Sequence, residues 1–196
     1  WKSLKEISPE AKRVIVDSRL SRKTMRPHSV LGILKDRVDP ELLPRIMHSF
    51  DIIGDIAVIE VSQELGSLKG LIAEAIVQVH KGVKTVLCKS GAVGGEYRVR
   101  NYEYVLGKHE TETVHREYGC QYHVDVAKAY FSSRLSDEHK RVASLVREGE
   151  TVLDMFAGVG PFAIQIAVAH ENVKVYATDL NPQAVECLRR NIRLNK

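Results

Sequence analysis

The sequence predicts an α/β protein whose C-terminal part begins a doubly wound, Rossmann-like parallel sheet. Three observations within residues 151–182 support this prediction. A short apolar run that begins at Val152 is followed by a glycine-rich turn and then by an apolar stretch of helical length. A second apolar run comes next, and each run ends in an aspartate, Asp154 or Asp179. Strand, turn, helix and strand in this order form the opening βαβ unit of such a sheet.

The glycine-rich turn indicates a nucleotide-type ligand, and the residues around it discriminate between two candidates. Gly158 and Gly160 also fit a relaxed dinucleotide fingerprint, in which Asp179 would hold a ribose hydroxyl. A pyrophosphate, however, needs free backbone N–H groups at the start of the helix, and Pro161 removes one of them. Asp154 would also repel a bound phosphate. S-adenosylmethionine carries an ammonium, a sulfonium and a ribose, so acids at both strand ends favour it as the cofactor.

The residues predicted to contact this cofactor lie in the two segments that follow the apolar runs. They are Asp154, Phe156, Ala157, Gly158, Gly160, Asp179, Leu180 and Asn181. Two alternatives stay open: the glycines simply allow a tight turn between strand and helix, or the unit binds a nicotinamide dinucleotide.

Composition excludes several other classes of protein. A chain of 196 residues with 44% hydrophobic content can form one large domain or two small ones with an apolar core. No apolar run approaches the ~20 residues of a membrane-spanning helix, and no signal-peptide pattern is present. We therefore expect no membrane partner. The three cysteines are far apart and odd in number, which predicts neither a disulfide framework nor a metal site and favours a reducing, cytoplasmic setting.

The distribution of charge suits a polyanionic partner. The formal net charge is +4, and basic residues exceed acidic ones in residues 1–50 and 126–196 but not between them. A polyanion lying across two lobes would explain this pattern, and solubility is the alternative. Within the first region, residues 21–28 form a basic loop that either contacts phosphates or is a solvated linker.

Residues 1–125 are predicted to form a smaller α+β domain with antiparallel strands. Capping residues and apolar spacing indicate its helices, which are predicted at 9–20, from Asp39 to near Ser49, and at 68–80. Runs rich in β-branched residues indicate its strands, which are predicted at 50–61, 83–88, 96–106 and in two parts of 111–126. Gly54 predicts a bend or bulge in the first strand, and the glycine-rich segment 90–95 predicts a flexible turn.

Residues 126–196 are predicted to be the start of the Rossmann-like domain. Ser136 is expected to cap a helix over 137–146, with Glu138 in its first turn, where a carboxylate can simply stabilise the helix dipole. Arg134 can likewise be a solvated cation. Because a doubly wound sheet needs further strands to complete its ligand cleft, we expect a fragment of a longer protein that is inactive alone.

Several segments together resemble one protein family. They are GEYRVR (95–100), TVHREYG (113–119), DVAKAYFS (125–132), Arg134-Leu135 with Glu138, and DMFAGVGPF (154–162). From about Ser49 onward the chain is similar to the archaeal and eukaryotic tRNA (guanine-37-N1)-methyltransferases. The resemblance implies transfer of a methyl group from S-adenosylmethionine to N1 of guanosine 37 in the anticodon loop, with tRNA as the partner. We also expect a monomer.

The resemblance further implies catalytic roles for three residues. Glu138 matches the proposed general base of the family, Arg98 matches the arginine that stabilises guanine O6, and Arg134 matches one that helps to arrange the site. Guanine N1 must lose a proton before it attacks, and negative charge then develops on O6. A carboxylate whose pKa is raised by burial and a nearby arginine suit this reaction.

Three more residues are predicted to bind the substrate, namely Arg100, Tyr130 and Phe131. Arg98 and Arg100 alternate onto the same face of their strand. The two aromatic rings would stack on a flipped base, and core packing is the alternative. The chain departs from the family pattern at Ser133 and at Ser136-Asp137, where a second carboxylate stands beside the proposed base.

Two other functions stay open at this point. One is a wyosine-pathway tRNA transferase that moves the aminocarboxypropyl group of the same cofactor. The other is a catalytically silent RNA-binding module. Glu138 and the sequence around Phe131 favour methylation over the first, and the presence of both Asp154 and Asp179 argues against the second.

Overall fold

The computed structural model describes residues 29–46, 49–97 and 99–196. The helix predicted at 9–20, the basic loop at 21–28 and Arg98 lie outside the described residues.

A four-stranded mixed sheet forms the first half of the described chain. After helix α1 (Val30–Leu34) come β1 (Asp51–Ile53), β2 (Ile56–Ile59), helix α2 (Lys69–Val79), β3 (Thr85–Gly94) and β4 (Val99–Gly107). The strands are ordered as in the sequence, with β2 and β3 parallel and the outer pairs antiparallel. The parallel pair needs a crossover, which α2 provides, and α1 and α2 cover one face of the sheet with an apolar core.

Residues 50–61 contain two antiparallel strands that form a β-hairpin. The prediction of a single bent strand was therefore wrong. Ile53 pairs with Ile56 across the turn, and Gly54 there has a φ of 57°. A left-handed residue reverses the chain where a bulge would only bend it. A Cβ atom on Gly54 would lie 2.1 Å from Oγ1 of Thr113, so the turn also requires glycine for space.

Two other predictions in this half were wrong. β3 continues to Gly94, where a flexible turn was predicted, because Ser90 and Gly94 both pair with β4, with a register shift between them. The segment after Asp39 forms turns and a short 3-10 helix (Leu43–Arg45) instead of an α-helix. Asp39 does accept the N–H of Glu41, but a proline within the 3-10 helix removes a donor that a longer helix would use.

The second half contains a hairpin followed by the predicted βαβ unit. Its elements are β5 (Glu112–Glu117), β6 (Cys120–Asp125), α3 (Ser136–Ala143), β7 (Thr151–Asp154), α4 (Pro161–Ala169), β8 (Lys174–Ala177) and α5 (Pro182–Leu194). β5 and β6 are antiparallel, and β7 and β8 are parallel, as predicted. α3 begins at Ser136 itself with no side-chain cap, so the predicted Ser136 cap was wrong, whereas Glu138 does lie in the first turn.

One apolar core joins the two halves. Tyr122 and Val124 of β6 are completely buried and pack with the side of the four-stranded sheet that α1 and α2 leave open. Leu188 of α5 and Val159 of the glycine-rich turn belong to the same core. In the part of the chain that the structure describes, no helix is long and apolar enough to cross a membrane.

Two asparagines fasten α5 to β6. Asn191 accepts the N–H of His123 at 2.6 Å and donates to its carbonyl at 3.0 Å, and Asn195 pairs in the same way with Gln121 at 2.8 and 2.7 Å. Four residues along a helix advance ~6 Å and two along a strand ~6.7 Å, so both amides reach alternate residues of the strand. Asn191 also donates to the Val159 carbonyl at 2.9 Å, which fixes the glycine-rich turn against the same strand.

Candidate functional site

Asp154 and Asp179 lie where the two parallel strands end. Asp154 is the last residue of β7, and Asp179 follows β8. The Asp179 carboxylate accepts two backbone N–H groups, from Gly158 at 2.7 Å and from Asn181 at 2.8 Å. Asp179 therefore joins the glycine-rich turn to the loop that leads into α5.

Asp154 keeps one carboxylate oxygen without a partner. Its Oδ1 accepts the N–H of Phe156 at 3.3 Å, whereas its Oδ2 is buried and has no hydrogen bond from any residue that the structure describes. Burial raises the pKa of Asp154, and the negative charge of Asp179 contributes in the same direction. An unpaired buried carboxylate oxygen is costly, so this atom fits a site that receives a donor or a cation from a ligand.

Gly160 shapes the turn between the strand and the helix. Its φ is 93°, and a Cβ atom there would lie 2.3 Å from Cδ1 of Leu188 on α5. Because α5 packs so closely, the turn needs glycine at this position both for its conformation and for space. Gly160 therefore acts through the shape of the turn.

A cavity of about 690 Å³ opens at these strand ends, and we refer to it as the strand-end cavity. Its walls combine the turn, the loop after β8 and residues from the first half. They are Glu96, Tyr97, Tyr130, Phe156, Gly158, Asp179, Leu180, Asn181 and Ala184. Five of the eight predicted cofactor-binding residues are among them, whereas Asp154, Ala157 and Gly160 are not. The side chains of Phe156 and Leu180 are largely exposed there.

Two of the predicted cofactor-binding residues have structural partners. The Asn181 side chain caps α5 by accepting the N–H of Gln183 at 3.0 Å and donates to the Lys128 carbonyl at 2.7 Å. Ala157 is buried, and its N–H bonds to the Thr178 carbonyl at 2.8 Å. The Asn181 side chain and the Ala157 backbone thus hold the loops in place, and a ligand in the cavity would meet mainly the backbone of Asn181.

A second cavity of about 270 Å³ lies between the four-stranded sheet and the segment before α3, and we refer to it as the inter-sheet cavity. It brings together all three predicted substrate-binding residues and Arg134. Its polar and aromatic walls include Asp51, Lys89, Arg100, Tyr102, Tyr130, Phe131 and Arg134. Tyr130 lines both cavities.

Two of the three cations that line the inter-sheet cavity are paired with acids. Arg134 forms an ion pair with Asp51 of β1, and Lys89 pairs with Glu60 at 3.1 Å. The two aromatic candidates differ in exposure, because the Tyr130 ring is mostly exposed while Phe131 packs against the core. Core packing, the alternative for both rings, therefore describes Phe131 better than Tyr130.

Glu138 lines neither cavity. Its carboxylate accepts two hydrogen bonds from the guanidinium of Arg141, each at 2.7 Å. Arg141 holds the pKa of Glu138 below its ordinary value, because the side chain lies at the surface of α3. The raised pKa expected in a drying cleft with substrate stays a prediction. The neighbouring Asp137 accepts a hydrogen bond from the Tyr118 hydroxyl and faces the β5–β6 hairpin.

Sequence reasoning missed a buried group beside the inter-sheet cavity. Oε1 of Glu117 lies 2.6 Å from Nδ1 of His139, and both side chains are almost fully buried. The available signal was alternation along β5, which places Thr113, His115 and Glu117 on one face of the strand. Asp51 was also missed, since its partner Arg134 is distant in sequence.

Comparison with known families identifies the chain. Residues 113–196 match the TRM5/TYW2 methyltransferase domain, and residues 30–111 match the TYW2 N-terminal domain. The chain belongs to the TRM5/TYW2 family. This membership confirms the predicted Rossmann-like methyltransferase fold preceded by an α+β region. The division of the chain at residue 125 stays a prediction.

Three TRM5/TYW2 proteins illustrate the similarity. Trm5b of Pyrococcus abyssi, a tRNA (guanine(37)-N(1))-methyltransferase, is 47% identical over 182 residues, which are 93% of this chain and 54% of the relative. Its crystal structure is 46% identical with a TM-score of 0.79, covering 92% of this chain and 53% of that one. A complex of aTrm5 with tRNALeu is 34% identical with a TM-score of 0.78, covering 98% and 57%.

The third protein belongs to the TYW2 branch. TYW2 of P. horikoshii, solved in complex with MeSAdo, is 36% identical with a TM-score of 0.67, covering 87% of this chain and 60% of that one. The chain spans about half the length of the curated Trm5b relatives that it matches.

Proposed function

We propose that the protein containing this chain transfers the methyl group of S-adenosylmethionine to N1 of guanosine 37 in the tRNA anticodon loop. The observation that supports this most strongly is the meeting of the two cavities at Tyr130. One cavity offers acids and a glycine-rich turn, and the other offers arginines and aromatic rings. A group-transfer enzyme needs donor and acceptor sites in contact, and Trm5 relatives carry the corresponding name.

The strand-end cavity fits S-adenosylmethionine, which supplies a methyl group on a positively charged sulfur when it is bound. Asp154 does not line this cavity. Its Oδ2, buried without a partner among the described residues at the end of β7, would accept a donor or a cation from a ligand that reaches this strand end. Asp179, held by two backbone N–H groups, would accept ribose hydroxyls. The exposed side chains of Phe156 and Leu180 would cover an adenine.

The inter-sheet cavity suits a guanine brought out of the anticodon loop. The exposed ring of Tyr130 offers a stacking surface. Arg134 and Arg100 supply positive charge near the base or its phosphates. The stabilisation of O6 by Arg98 stays a prediction from the family resemblance.

Glu138 is proposed as the general base that accepts the N1 proton. Because Arg141 lowers its pKa, the carboxylate is ionised at neutral pH, as a base must be. The ion pair with Arg141 lies on the surface of α3, so Glu138 has to leave Arg141 to reach the substrate. Transfer to a drier, substrate-filled cleft would then raise its proton affinity.

Replacement of the proposed base is the first prediction. Glu138→Gln should slow single-turnover methyl transfer by at least about 100-fold, the usual contribution of a general base, while the affinities for tRNA and cofactor change little. Quenched-flow assays with labelled cofactor measure the rate. Glu74→Gln removes another ion-paired helical glutamate and serves as the control. A near-wild-type rate for Glu138→Gln would reject Glu138 as the base.

Nucleoside mass spectrometry tests the function itself. A tRNA transcript is incubated with S-adenosylmethionine and the protein that contains this whole chain, then digested to nucleosides. We expect 1-methylguanosine, and we expect it to vanish when position 37 is changed to adenosine. Methylation at another position, or no methylation despite cofactor binding, would contradict the proposal.

A wyosine-pathway transferase is the second candidate function. The match of residues 30–111 to the TYW2 N-terminal domain and the similarity to P. horikoshii TYW2 support it. Transfer of the aminocarboxypropyl group releases methylthioadenosine, whereas methyl transfer releases S-adenosylhomocysteine. The by-product identified in the same incubation, repeated with tRNA carrying the pathway's precursor base, separates the two. Cytoplasmic location, a monomeric state and independence of metal stay predictions.

A further inference from the structure

A buried carboxylate that the proposed reaction does not use lies beside the inter-sheet cavity. Glu117 ends β5, and the side chains of Glu117 and His139 are 3% and 2% exposed. Oε1 of Glu117 lies 2.6 Å from Nδ1 of His139. Oε2 lies 3.7 Å from Nε2 of His115 and has no hydrogen bond from the described chain.

The charge of this group is retained despite its burial. Burial raises the pKa of Glu117, but the contacts with His115 and His139 outweigh it, so the pKa is lowered overall. Nδ1 of His115 accepts the N–H of Gly54 at 3.1 Å. A neutral His115 therefore carries its proton on Nε2, the nitrogen that faces Glu117.

Glu117 and its two histidine partners, His115 and His139, connect two parts of the proposed site. The ring of Phe131, a wall of the inter-sheet cavity, has its centroid 5.1 Å from that of His115 and 6.5 Å from that of His139. His139 directly follows Glu138 in the first turn of α3, and its ring packs edge-on against Phe162 at 4.6 Å. The Glu117–His139 contact thus ties the turn that carries Glu138 to the β5–β6 hairpin.

Stability alone gives a poor account of a carboxylate at this position. A buried ion pair is often no more stabilising than apolar side chains of similar volume, although removing one partner is costly. The same hairpin carries a second pair, Glu112 with His123 at 3.0 Å, in which the Glu112 side chain is 55% exposed. Nε2 of His123 also lies 2.9 Å from Nη1 of Arg190 on α5, and no hydrogen bond, ion pair or ring contact among the described residues joins this pair to α3 or Phe131. The two pairs therefore hold different parts of the fold.

We propose that Glu117 and His139 are positioning residues whose buried contact holds the first turn of α3, and with it Glu138, against the Phe131 wall of the inter-sheet cavity. This inference rests on the proposed role of Glu138. Neither residue touches the substrate, and both act through the orientation of the α3 turn.

The test compares matched substitutions in the protein that contains this whole chain. Glu117→Gln keeps the shape and removes the charge. We expect its single-turnover methyl-transfer rate to fall about tenfold, because small misplacements of a reacting group are costly, while the dissociation constants for cofactor and tRNA stay within about twofold. Glu112→Gln should leave all three quantities unchanged. An unchanged rate for Glu117→Gln overturns the inference.

A double-substitution cycle distinguishes positioning of Glu138 from a general loss of structure. If Glu117 acts through Glu138, Glu117→Gln should add little further slowing once Glu138→Gln has removed the base. A merely structural role would slow both backgrounds by the same factor, and that additivity would overturn the inference.

His139 supplies a second, independent pair of variants. Asn at this position can place an N–H donor near that of Nδ1, so His139→Asn should keep most of the rate. His139→Leu has no donor and should lose about as much as Glu117→Gln. Equal rates for the two His139 variants would contradict the role of the contact.

Hydrogen exchange separates failure of this inference from failure of the proposed function. In Glu117→Gln the amides of α3 should lose about tenfold in protection while those of α4 are unchanged, which is a local opening. This readout needs no activity, so it holds even if the wild-type protein methylates nothing. Unchanged protection of α3 would reject the positioning role, whereas absence of wild-type methylation would reject the function.

Discussion

The strand-end cavity and the inter-sheet cavity share Tyr130 but are built in opposite ways. The strand-end cavity is formed mainly by two loops of one βαβ unit, held by backbone N–H groups that bond to Asp179. The inter-sheet cavity takes side chains from β1, β3, β4 and the segment before α3. Two of its three cations already have acidic partners, Asp51 for Arg134 and Glu60 for Lys89.

This difference separates two ways of preparing a binding site. Backbone bonds and a close helix fix the strand-end loops before any ligand arrives, which suits a small cofactor. The ion pairs of the inter-sheet cavity keep cations in place until a polyanion replaces their partners. Changes to the first cavity should therefore affect folding and cofactor affinity, and changes to the second should affect RNA.

The largest expected effect follows from Gly160→Ala in the strand-end turn. A left-handed conformation costs a non-glycine residue ~1–2 kcal/mol, and the clash with Leu188 adds ~1–3 kcal/mol. We expect the free energy of unfolding to fall by about 3 kcal/mol, as measured by urea denaturation. Gly82→Ala, where a Cβ atom meets nothing within 4 Å, is the control, and equal stabilities would show that the turn is not preorganised.

Asp154→Asn should produce the next largest effect. A hydrogen bond to a charged group is worth ~1.5–3 kcal/mol, so the dissociation constant of S-adenosylmethionine should rise about 30-fold by calorimetry. Asp51→Asn makes the same chemical change in the inter-sheet cavity and should leave this constant unaltered. If both variants lost cofactor affinity equally, the separation between the cavities would be wrong.

Acidification sharpens the same prediction. Burial raises the pKa of Asp154, so this carboxylate gains a proton at a higher pH than an ordinary aspartate. A cationic ligand prefers the ionised form, and its affinity should therefore fall as the pH drops through the raised pKa and level off above it. Asp154→Asn should lack this dependence, and an identical pH profile in both proteins would contradict the assignment.

Asp51→Asn should have the smallest effect, and it should be on RNA. The ion pair with Arg134 is partly exposed and is worth about 1 kcal/mol or less. Freeing Arg134 should lower the dissociation constant for tRNA about threefold. It should also raise the number of counterions released on binding by about one, which steepens the dependence of the affinity on salt concentration. Filter binding measures both. Glu74→Gln frees Arg37 in the same way, and an equal gain there would mean that Arg134 has no special contact with tRNA.

The strand-end unit could be predicted from the sequence because its determinants are local. Acid, glycine turn and helix follow one another within one segment, and each residue type has a conformational reason to be there. The first hairpin was misread, although Gly54-Asp55 is a two-residue sequence typical of a tight turn. Contacts such as Arg134 with Asp51, 83 residues apart, and His139 with Glu117, 22 apart, depend on the tertiary fold and leave no local pattern.

The contact of the two cavities at Tyr130 is tested most directly by single-turnover methyl transfer with Tyr130→Ala, at saturating cofactor and tRNA. We expect transfer at least about tenfold slower than wild type, because donor and acceptor lose the surface that aligns them. Tyr104→Ala, which removes a ring that stacks on His109 outside both cavities, should stay within about twofold. A wild-type rate for Tyr130→Ala would show that the methyl group is transferred elsewhere.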